Sequence, residues 1–301
     1  MRVTSNMATQ NAIASIAAAR ERMDIAQVQL TTGHRVQSAS EDPSAASVVM
    51  QNDSQLRAIT QYQRNVGVAK QRASLEEAAL DQLTSLLNRA REITISQAGD
   101  TASAATRQAA GAEVNQLLAQ AVQLADTKIG DEYLFGGNTS GTPPFSVDTS
   151  TAVYSFSVAA TAPAGARQVE IGAGQLLTAN HDGTQVFGTP SGGALKALQD
   201  LSAALQTGSG AAVSGLIPTF VSEVANVQTL IGVTGARANQ MDITGANLTA
   251  LTNQLITFNS NLQDVDMEAA ITELTGRQTA YQAAMAVTAR LSGLSLADYL
   301  R

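Results

Sequence analysis

The chain has 301 residues, a net charge of −7 and 44% hydrophobic residues, but only 4% aromatic and 14% charged residues. Its acidic balance argues against a nucleic-acid partner, which requires a basic surface, and the lack of cysteine excludes disulfides and thiolate metal sites. No apolar run approaches the roughly 20 residues of a membrane span, and the opening MRVTSNMATQNAIAS lacks the apolar core of a secretory signal. We therefore expect neither a membrane nor a nucleic acid as a partner.

The N-terminal segment has the heptad spacing of a coiled coil. A set of small and apolar residues is spaced alternately four and three positions apart, which places them on one stripe of a helix. They are Ala12, Ile16, Ala19, Met23, Ala26 and Leu30. Gly33 follows this stripe and is predicted to end the helix as a C′ glycine, which accepts a left-handed backbone at no steric cost.

The polar stretch 31-TTGHRVQSASEDPSAAS-47 gathers His34, Arg35 and two adjacent carboxylates between two helical segments. It is either an active-site loop or a joint between helices. Asp42 followed by Pro43 is the usual pairing of an N-cap with the first residue of a helix. We therefore interpret Glu41 and Asp42 as a helix start, and not as a catalytic pair of carboxylates.

Two further helices follow this stretch. The segment 44–98 contains no proline and a single glycine, Gly67, and it is predicted to be one long helix that ends at Gly99. Its apolar stripe includes Leu56, Ile59, Val66, Leu80, Leu83, Leu87 and Ala90. A third helix is predicted from about 104 to 129, with Gly130 as its end.

The segment from about 133 to 190 has a different texture. It is rich in Gly, Pro, Ser and Thr, and around 153–158 its residues alternate between apolar and polar, which predicts short strands and hairpins. Its aromatic residues are interpreted as the core of a small domain, although aromatic side chains can also stack on sugars. They are Tyr133, Phe135, Phe145, Tyr154, Phe156 and Phe187.

Helical texture returns at about 193–206, breaks at 207-TGSG-210 and resumes. The next segment holds one heptad phase from Phe220 to Leu262, the longest regular pattern in the chain. A last amphipathic segment carries Ala270, Leu274, Arg277, Tyr281, Ala284, Thr288 and Leu291. Because helices this long cannot bury their apolar stripes on themselves, they are expected to pack against the helices of the N-terminal half.

Motifs for catalysis or metal binding are not found. Neither His34 nor His181 has an acidic residue or a second histidine at helical ligand spacing, so no zinc motif is present. Asp264 and Asp266 are close in sequence, but on a helix they would point to different faces. We expect no enzyme activity, no cofactor and no bound metal.

Together these patterns predict a mainly α fold: a long antiparallel helical bundle formed by the N- and C-terminal halves, with a small β-rich domain inserted mid-chain. We expect three parts. They are a terminal coiled-coil pair, 1–40 with 265–301, disordered in the monomer; a long-helix bundle, 41–132 with 193–264; and a β-rich insert, 133–192. A two-helix pair of that size leaves apolar surface uncovered, which predicts lateral self-association.

The stretch 30-LTTGHRVQSASEDPSAASVV-49 resembles the N-terminal signature of bacterial flagellins and flagellin-like junction proteins. In that signature a leucine, two small polar residues, a glycine, a basic–apolar pair and a serine precede an acidic residue and Asp-Pro. At the other end, 264-DVDMEAA-270 resembles the C-terminal signature of the same family. The segments 131-DEYLFGGNTSGTPPF-145 and 293-GLSLADYL-300 resemble its hook-associated members, and the flagellin-like bundle predicted above is the architecture that this resemblance implies.

The resemblance implies a structural subunit at the hook–filament junction of the bacterial flagellum, exported unfolded by the flagellar type III apparatus. Its partners would be flagellin, the adjacent hook-associated protein, other copies of itself in a ring, and a cytoplasmic export chaperone on the C-terminal segment. It would be extracellular after a transient cytoplasmic stage. A short flagellin is the alternative, and a secreted sugar-binding or glycan-cleaving protein that uses the β-rich insert is a more remote one.

The residues expected to carry assembly lie in the terminal stripes, in the two signature stretches and in the segment 293–300. They are Ile16, Met23, Leu30, Gly33, Arg35, Asp42, Pro43, Asp264, Asp266, Leu274, Tyr281, Ala284, Leu291, Leu294, Leu296, Tyr299 and Leu300. Arg35 and Asp42 are expected to bond neighbouring backbone or subunits, and no substrate.

Overall fold

The structure is a computed structural model that describes residues 2–99, 102–137, 141–159, 165, 167–207 and 210–299, without the side chains of 2–6, 8, 9 and 291–299. The helices are α1 (Arg2–Thr32), α2 (Pro43–Gln97), α3 (Ala104–Ala125), α4 (Gly183–Phe187), α5 (Ala194–Thr207), α6 (Gly210–Ser214), α7 (Ile217–Gln263) and α8 (Met267–Tyr299). The strands are β1 (Lys128–Ile129), β2 (Glu132–Tyr133), β3 (Phe145–Asp148), β4 (Ser155–Val158), β5 (Gln168–Gly172) and β6 (Gln175–Thr178).

The strands form three antiparallel two-stranded hairpins, β1–β2, β3–β4 and β5–β6, and all lie between α3 and α4. Long helices precede and follow this strand-bearing region. The predicted fold class, a mainly α protein with a β-rich insertion mid-chain, is therefore confirmed.

Contacts within the chain separate it into two compact units, 1–58 with 250–301, and 59–249. In the first unit α1 packs against α8, as the paired terminal stripes predicted. The stripe residues Ile16, Met23 and Leu30 of α1 are half-buried, while most of their neighbours are exposed. On α8 the same holds for Leu274, Tyr281 and Ala284. The heptad spacing therefore identified the faces of lower exposure on both helices.

Helices α2 and α7 are antiparallel, because residues with higher numbers on α2 contact residues with lower numbers on α7. In the first unit the buried Asn52 donates from Nδ2 to Asn259 Oδ1 at 2.7 Å. In the second unit Lys70 Nζ lies 2.5 Å from Asp242 Oδ1, and Gln63 bonds Thr249. Every predicted stripe position of α7, from Phe220 to Leu262, is buried or half-buried, so the long heptad pattern is confirmed.

The core of the second unit is made mainly by apolar faces of four helices, α2, α3, α5 and α7. Fully or almost fully buried members include Leu80, Leu83, Leu87, Val114, Leu118, Leu195, Leu198, Leu201, Phe220 and Val227. Burial of one such side chain contributes about 1.5–3 kcal/mol relative to leaving it in water.

The aromatic residues of the insert correct one prediction. Phe135, Phe145, Phe156 and Phe187 are buried, as expected for core residues, but they belong to the same cluster as the leucines of the helices. Hairpins this short bury little surface of their own, so their aromatic side chains pack onto the helices and do not form a separate core. This burial also leaves these four rings unable to stack on sugars.

Asn115 of α3 fastens the β3–β4 hairpin to the helices. Its Nδ2 donates to Ala152 O at 2.8 Å, and its Oδ1 accepts from Tyr154 N at 3.2 Å and Ser202 Oγ at 2.6 Å. The side chain is buried, so an unbonded amide here would be costly. Asn115 therefore joins α3, α5 and the hairpin.

The end of α3 also differs from prediction. The helix stops at Ala125 with Asp126 as its C-cap, and 128–129 pair with 132–133 as β1–β2. Gly130 has a φ of 61°, which places it in the turn of this hairpin and not at the end of a helix. A glycine suits both positions for the same steric reason, so its presence alone could not distinguish them.

The stretch Gly210–Gln263, which contains α7, is long and apolar enough by composition to cross a membrane. A single such helix is weak evidence, because helices of soluble bundles pass the same test. Here α7 bonds α2 through Asp242, Thr249 and Asn259. That the chain has no membrane partner stays a prediction.

Candidate functional site: the joint between the terminal and central helices

The connections α1–α2 and α7–α8 run beside each other and form a joint, which we define as residues 33–42 and 264–266. Arg35 N donates to Gln263 O at 2.5 Å, and Val265 N donates to Gly33 O at 2.9 Å. His34 and Asp264 face each other in this short antiparallel bridge. Two segments 230 residues apart in sequence are thus joined through their main chains.

The boundaries of the joint follow local signals. Gly33 has a φ of 73°, and its N–H bonds Gln29 O at 2.9 Å, as predicted for the residue that ends α1. Helix α2 begins at Pro43, and Asp42 Oδ1 accepts from Ala45 N at 3.0 Å. The predicted helix stop and N-cap are both confirmed.

Arg35 ties together three parts of the joint. Its Nη2 donates to Leu262 O at 3.0 Å and lies 3.5 Å from Asp42 Oδ2, while its own carbonyl accepts from Gln29 Nε2. A cation at the last carbonyls of α7 also interacts favourably with the negative end of the helix dipole. The expectation that Arg35 and Asp42 bond neighbouring backbone is confirmed within one chain.

Hydrogen bonds hold the pKa of Asp42 below its usual range, first the one from the Ala45 amide and then the one from the Ser44 hydroxyl. A carboxyl with a lowered pKa stabilises the folded state above about pH 4, and this contribution is lost as the pH falls through the folded-state value. Acid should therefore loosen the start of α2.

We expect Asp42→Ala to lower the protection of the Ala45 amide against hydrogen exchange at neutral pH, because the cap acceptor is gone. The protection factor, which is the intrinsic exchange rate divided by the measured rate, should also no longer fall as the pH is lowered. Exchange measured by NMR between pH 3 and 7 checks this. Asp24→Asn, which changes an exposed carboxylate one turn from Arg20, is the control and should leave Ala45 unaffected. Unchanged exchange in Asp42→Ala would contradict the capping role.

The polar side chains around His34 do not form a nucleophilic triad. His34 Nδ1 lies 3.0 Å from Asp264 Oδ1, and Ser260 Oγ donates to Asp264 Oδ2 at 2.5 Å. The carboxylate thus stands between the serine and the histidine, so the histidine is in no position to take the hydroxyl proton. Among the described residues no group of three or more His, Asp or Glu side chains is arranged to hold a metal ion.

Asp264 and Asp266 correct a third prediction, because they lie in the α7–α8 connection and not on one helix. Asp266 Oδ1 accepts from Glu268 N at 3.0 Å and Ala269 N at 3.2 Å, so it caps α8. No glycine or proline marks this break in the sequence. The pairing with 33–35 and the Asp266 cap supply the backbone partners that a continuous helix would otherwise provide.

Two family models match the chain on either side of its strand-bearing region. The bacterial flagellin N-terminal helical region matches residues 3–140, and the bacterial flagellin C-terminal helical region matches residues 216–300. The chain belongs to the flagellin family. Both signature stretches of the joint fall inside the matched regions, so the joint is part of the family's shared helical frame.

Curated relatives within the flagellin family match along most of the chain. Flagellar hook-associated protein 3 of Escherichia coli is 27% identical over 89% of this chain and 90% of its own length. The protein of the same name in Salmonella typhimurium is 24% identical over 98% of both chains. The flagellar filament 30.7 kDa core protein of Treponema maltophilum is 26% identical over 87% of this chain and 86% of its own.

Solved structures from the family share the fold. A putative flagellar hook-associated protein from Vibrio parahaemolyticus has a TM-score of 0.64 and 21% identity, covering 74% of this chain and all of that one. The flagellar junction protein FlgL from Legionella pneumophila has a TM-score of 0.55 and 15% identity, covering 73% of this chain and all of that one.

The predicted assembly residues of this flagellin-family chain fall into three groups. Gly33, Arg35, Asp42, Pro43, Asp264 and Asp266 meet in the joint or bound it. The stripe residues of α1 and α8 lie on the two helices that pair within the chain. The side chains of Leu291, Leu294, Leu296 and Tyr299, and Leu300 as a whole, lie outside the described part.

Sequence reasoning missed the partner of each histidine. His34 pairs with Asp264 in the joint, and the buried His181 lies with Nδ1 2.5 Å from Glu76 Oε1 of α2. Glu76 occupies a buried position of α2, where a charge is unexpected unless it is paired. A charged residue on an apolar stripe is a signal in the sequence that points to a distant polar partner.

Proposed function

We propose that this chain is a structural subunit of the bacterial flagellum at the junction between the hook and the filament. The observation that carries the proposal is the match to hook-associated protein 3 along nearly the full length of both chains. Its neighbours would be flagellin on one side and another hook-associated protein on the other. In this proposal the chain is a structural part and catalyses no reaction.

The surface of the terminal helices supports repeated assembly. The stripe residues are occupied by the α1–α8 pairing, yet other apolar side chains of the same helices remain exposed. These include Ile13 at 59%, Ile25 at 48%, Ile271 at 50% and Val287 at 57%. Exposed apolar faces on both helices suit contacts between successive copies, and head-to-tail contacts of this kind build rings and tubes.

The proposal includes the three-part division given above, with the paired ends inside the assembled tube and the insert outside. The ends would be disordered in the monomer and fold on assembly, since an isolated helix pair of this kind gains most of its stability from burial. Export would be as an unfolded chain through the flagellar type III apparatus, with the C-terminal segment held by a cytoplasmic chaperone beforehand.

A deletion strain tests this function. Cells without the gene should swim poorly and release unpolymerised flagellin into the medium, and antibody labelling of complemented cells should mark only the boundary between hook and filament. Complementation with the unaltered gene is the control. Normal filaments on the deletion strain would overturn the proposal.

A short flagellin is the second candidate, favoured by the near full-length match to the Treponema filament core protein. The two functions differ in copy number and in self-assembly. A filament subunit polymerises into long fibres after purification and dominates the protein sheared from cells, whereas a junction subunit does neither. Gel analysis of sheared material and electron microscopy of the purified chain separate them.

A further inference from the structure

A groove outside the joint carries an unpaired acid. It lies in the second unit, between the Gly188–Gly193 turn that joins α4 to α5 and the first turns of α7. Glu223 and Asn226 line it from α7, where a spacing of three residues puts both on one face of the helix. Thr184, Thr189 and Ser191 add hydroxyl groups on the opposite side.

The wall opposite α7 is rigid. Thr189 N donates to Gly192 O at 2.7 Å, and Gly192 N donates back to Thr189 O at 3.0 Å. Gly188 and Gly193 have φ values of 90° and 105°, and their backbones are in such close contact that a Cβ on either would collide with the other. A wall fixed in this way needs no ordering when a ligand enters, which lowers the cost of binding.

Glu223 is half-buried, and its carboxylate has no hydrogen bond or ion pair with any described residue. Burial raises the pKa of its carboxyl, and no neighbouring cation offsets that effect. None of the lining residues in the described part of the chain is basic, and Lys196 of α5 pairs with Asp200. The groove therefore presents a single uncompensated negative charge among neutral hydrogen-bond acceptors.

The negative charge of the Glu223 carboxylate favours a cationic ligand. An anion would be repelled, and calcium normally takes several carboxylates with six to eight oxygen ligands, whereas this groove has one carboxylate. A monovalent cation with several N–H donors balances the charge and can bond the Asn226 carbonyl and the hydroxyls as well. A guanidinium fits best, since its planar fork matches a carboxylate with two parallel hydrogen bonds.

We propose that the Glu223 groove is a docking site for an arginine side chain of another protein chain. The guanidinium would pair with the Glu223 carboxylate, and its remaining N–H groups would donate to Asn226 Oδ1 and to the hydroxyl groups of the opposite wall. This site is separate from the joint and does not depend on whether the chain is a junction subunit or a filament subunit.

The test uses the full chain with carboxyl-labelled glutamate and capped arginine, N-acetyl-arginine amide, as the probe. NMR titration at pH 7 should show saturable binding at Glu223, and the pKa of that carboxyl should fall when the probe is bound, since a cation favours the charged form. Capped citrulline, which has nearly the same shape but no charge, should bind at least about tenfold more weakly, because the charge-assisted hydrogen bonds are lost.

Substitutions inside and outside the groove show whether the probe binds at Glu223. Glu223→Gln should weaken capped arginine at least about tenfold, and Asn226→Ala, at an exposed position that the fold tolerates, should weaken it less. Glu77→Gln, an exposed acid on α2, is the matched control and should leave binding unchanged. Equal binding of arginine and citrulline, or undiminished binding to folded Glu223→Gln, would overturn the proposal, as would displacement of the probe by an equal concentration of calcium.

Discussion

Replacing Phe187 with alanine should lower the free energy of unfolding by about 3–5 kcal/mol. The Phe187 side chain is fully buried and contacts two other rings edge to face, Phe135 at 5.0 Å and Phe145 at 5.7 Å between centroids. Its loss removes both ring contacts and leaves a cavity that the rigid Gly188–Gly193 turn next to it cannot fill. Because these rings pack the insert against the helices, the hairpins should loosen first.

Urea unfolding followed by circular dichroism measures the overall loss, and limited proteolysis within 141–178 reports the hairpins. Leu176→Ala is the matched control. Leu176 lies on β6 with 62% of its surface exposed, so its truncation should change stability by less than about 0.5 kcal/mol. If both variants unfold at the same urea concentration, Phe187 is not part of a packed core.

The second large effect is expected for Glu76→Ala, which should cost about 2–6 kcal/mol, because it leaves two buried hydrogen-bonding groups of His181 without their partner, at about 1–3 kcal/mol each. Glu76 is 1% exposed, and its Oε1 accepts from His181 N at 3.0 Å and contacts His181 Nδ1. In the variant, the buried backbone N–H and ring Nδ1 of His181 both lose this hydrogen-bond partner.

The adjacent residue supplies the control for this variant. Glu77 is exposed on the same helix turn, so Glu77→Ala changes the same charge and helix propensity without removing a buried partner. Glu76→Gln keeps the shape and one acceptor oxygen, and its cost should fall between the two. Equal urea midpoints for Glu76→Ala and Glu77→Ala would show that the His181 contact does not stabilise the fold.

Local signals in the sequence were sufficient for the ends of helices near the joint. Gly33 has the backbone freedom that ends α1, and Asp42 with Pro43 has the cap and the fixed φ that start α2. These effects act over one turn of the chain, so reading a few neighbouring residues is enough. The heptad stripes of α1, α7 and α8 were equally readable, because burial follows the period of the helix.

Features that depend on distant partners were not readable in this way. No residue near Asp264 indicates that α7 ends there, because the interruption between α7 and α8 depends on main-chain hydrogen bonds to Gly33 and Arg35. The aromatic residues of the insert were correctly expected to be buried, but the sequence cannot show that their surroundings are the leucines of α3 and α5. The end of α3 was misplaced because Gly130 fits a helix end and a hairpin turn equally well.

If the chain is released one end first, as during synthesis or export, the two compact units can form their contacts at different times. Residues 59–249 form one continuous segment, so every contact of that unit is available before the last helix appears. Helix α1 must wait for α8, and the loop between His34 and Asp264 spans 230 residues. Closing so long a loop adds little to the equilibrium cost but slows folding, since non-local contacts form late. The paired ends should therefore be the last part of the molecule to form, whichever end emerges first.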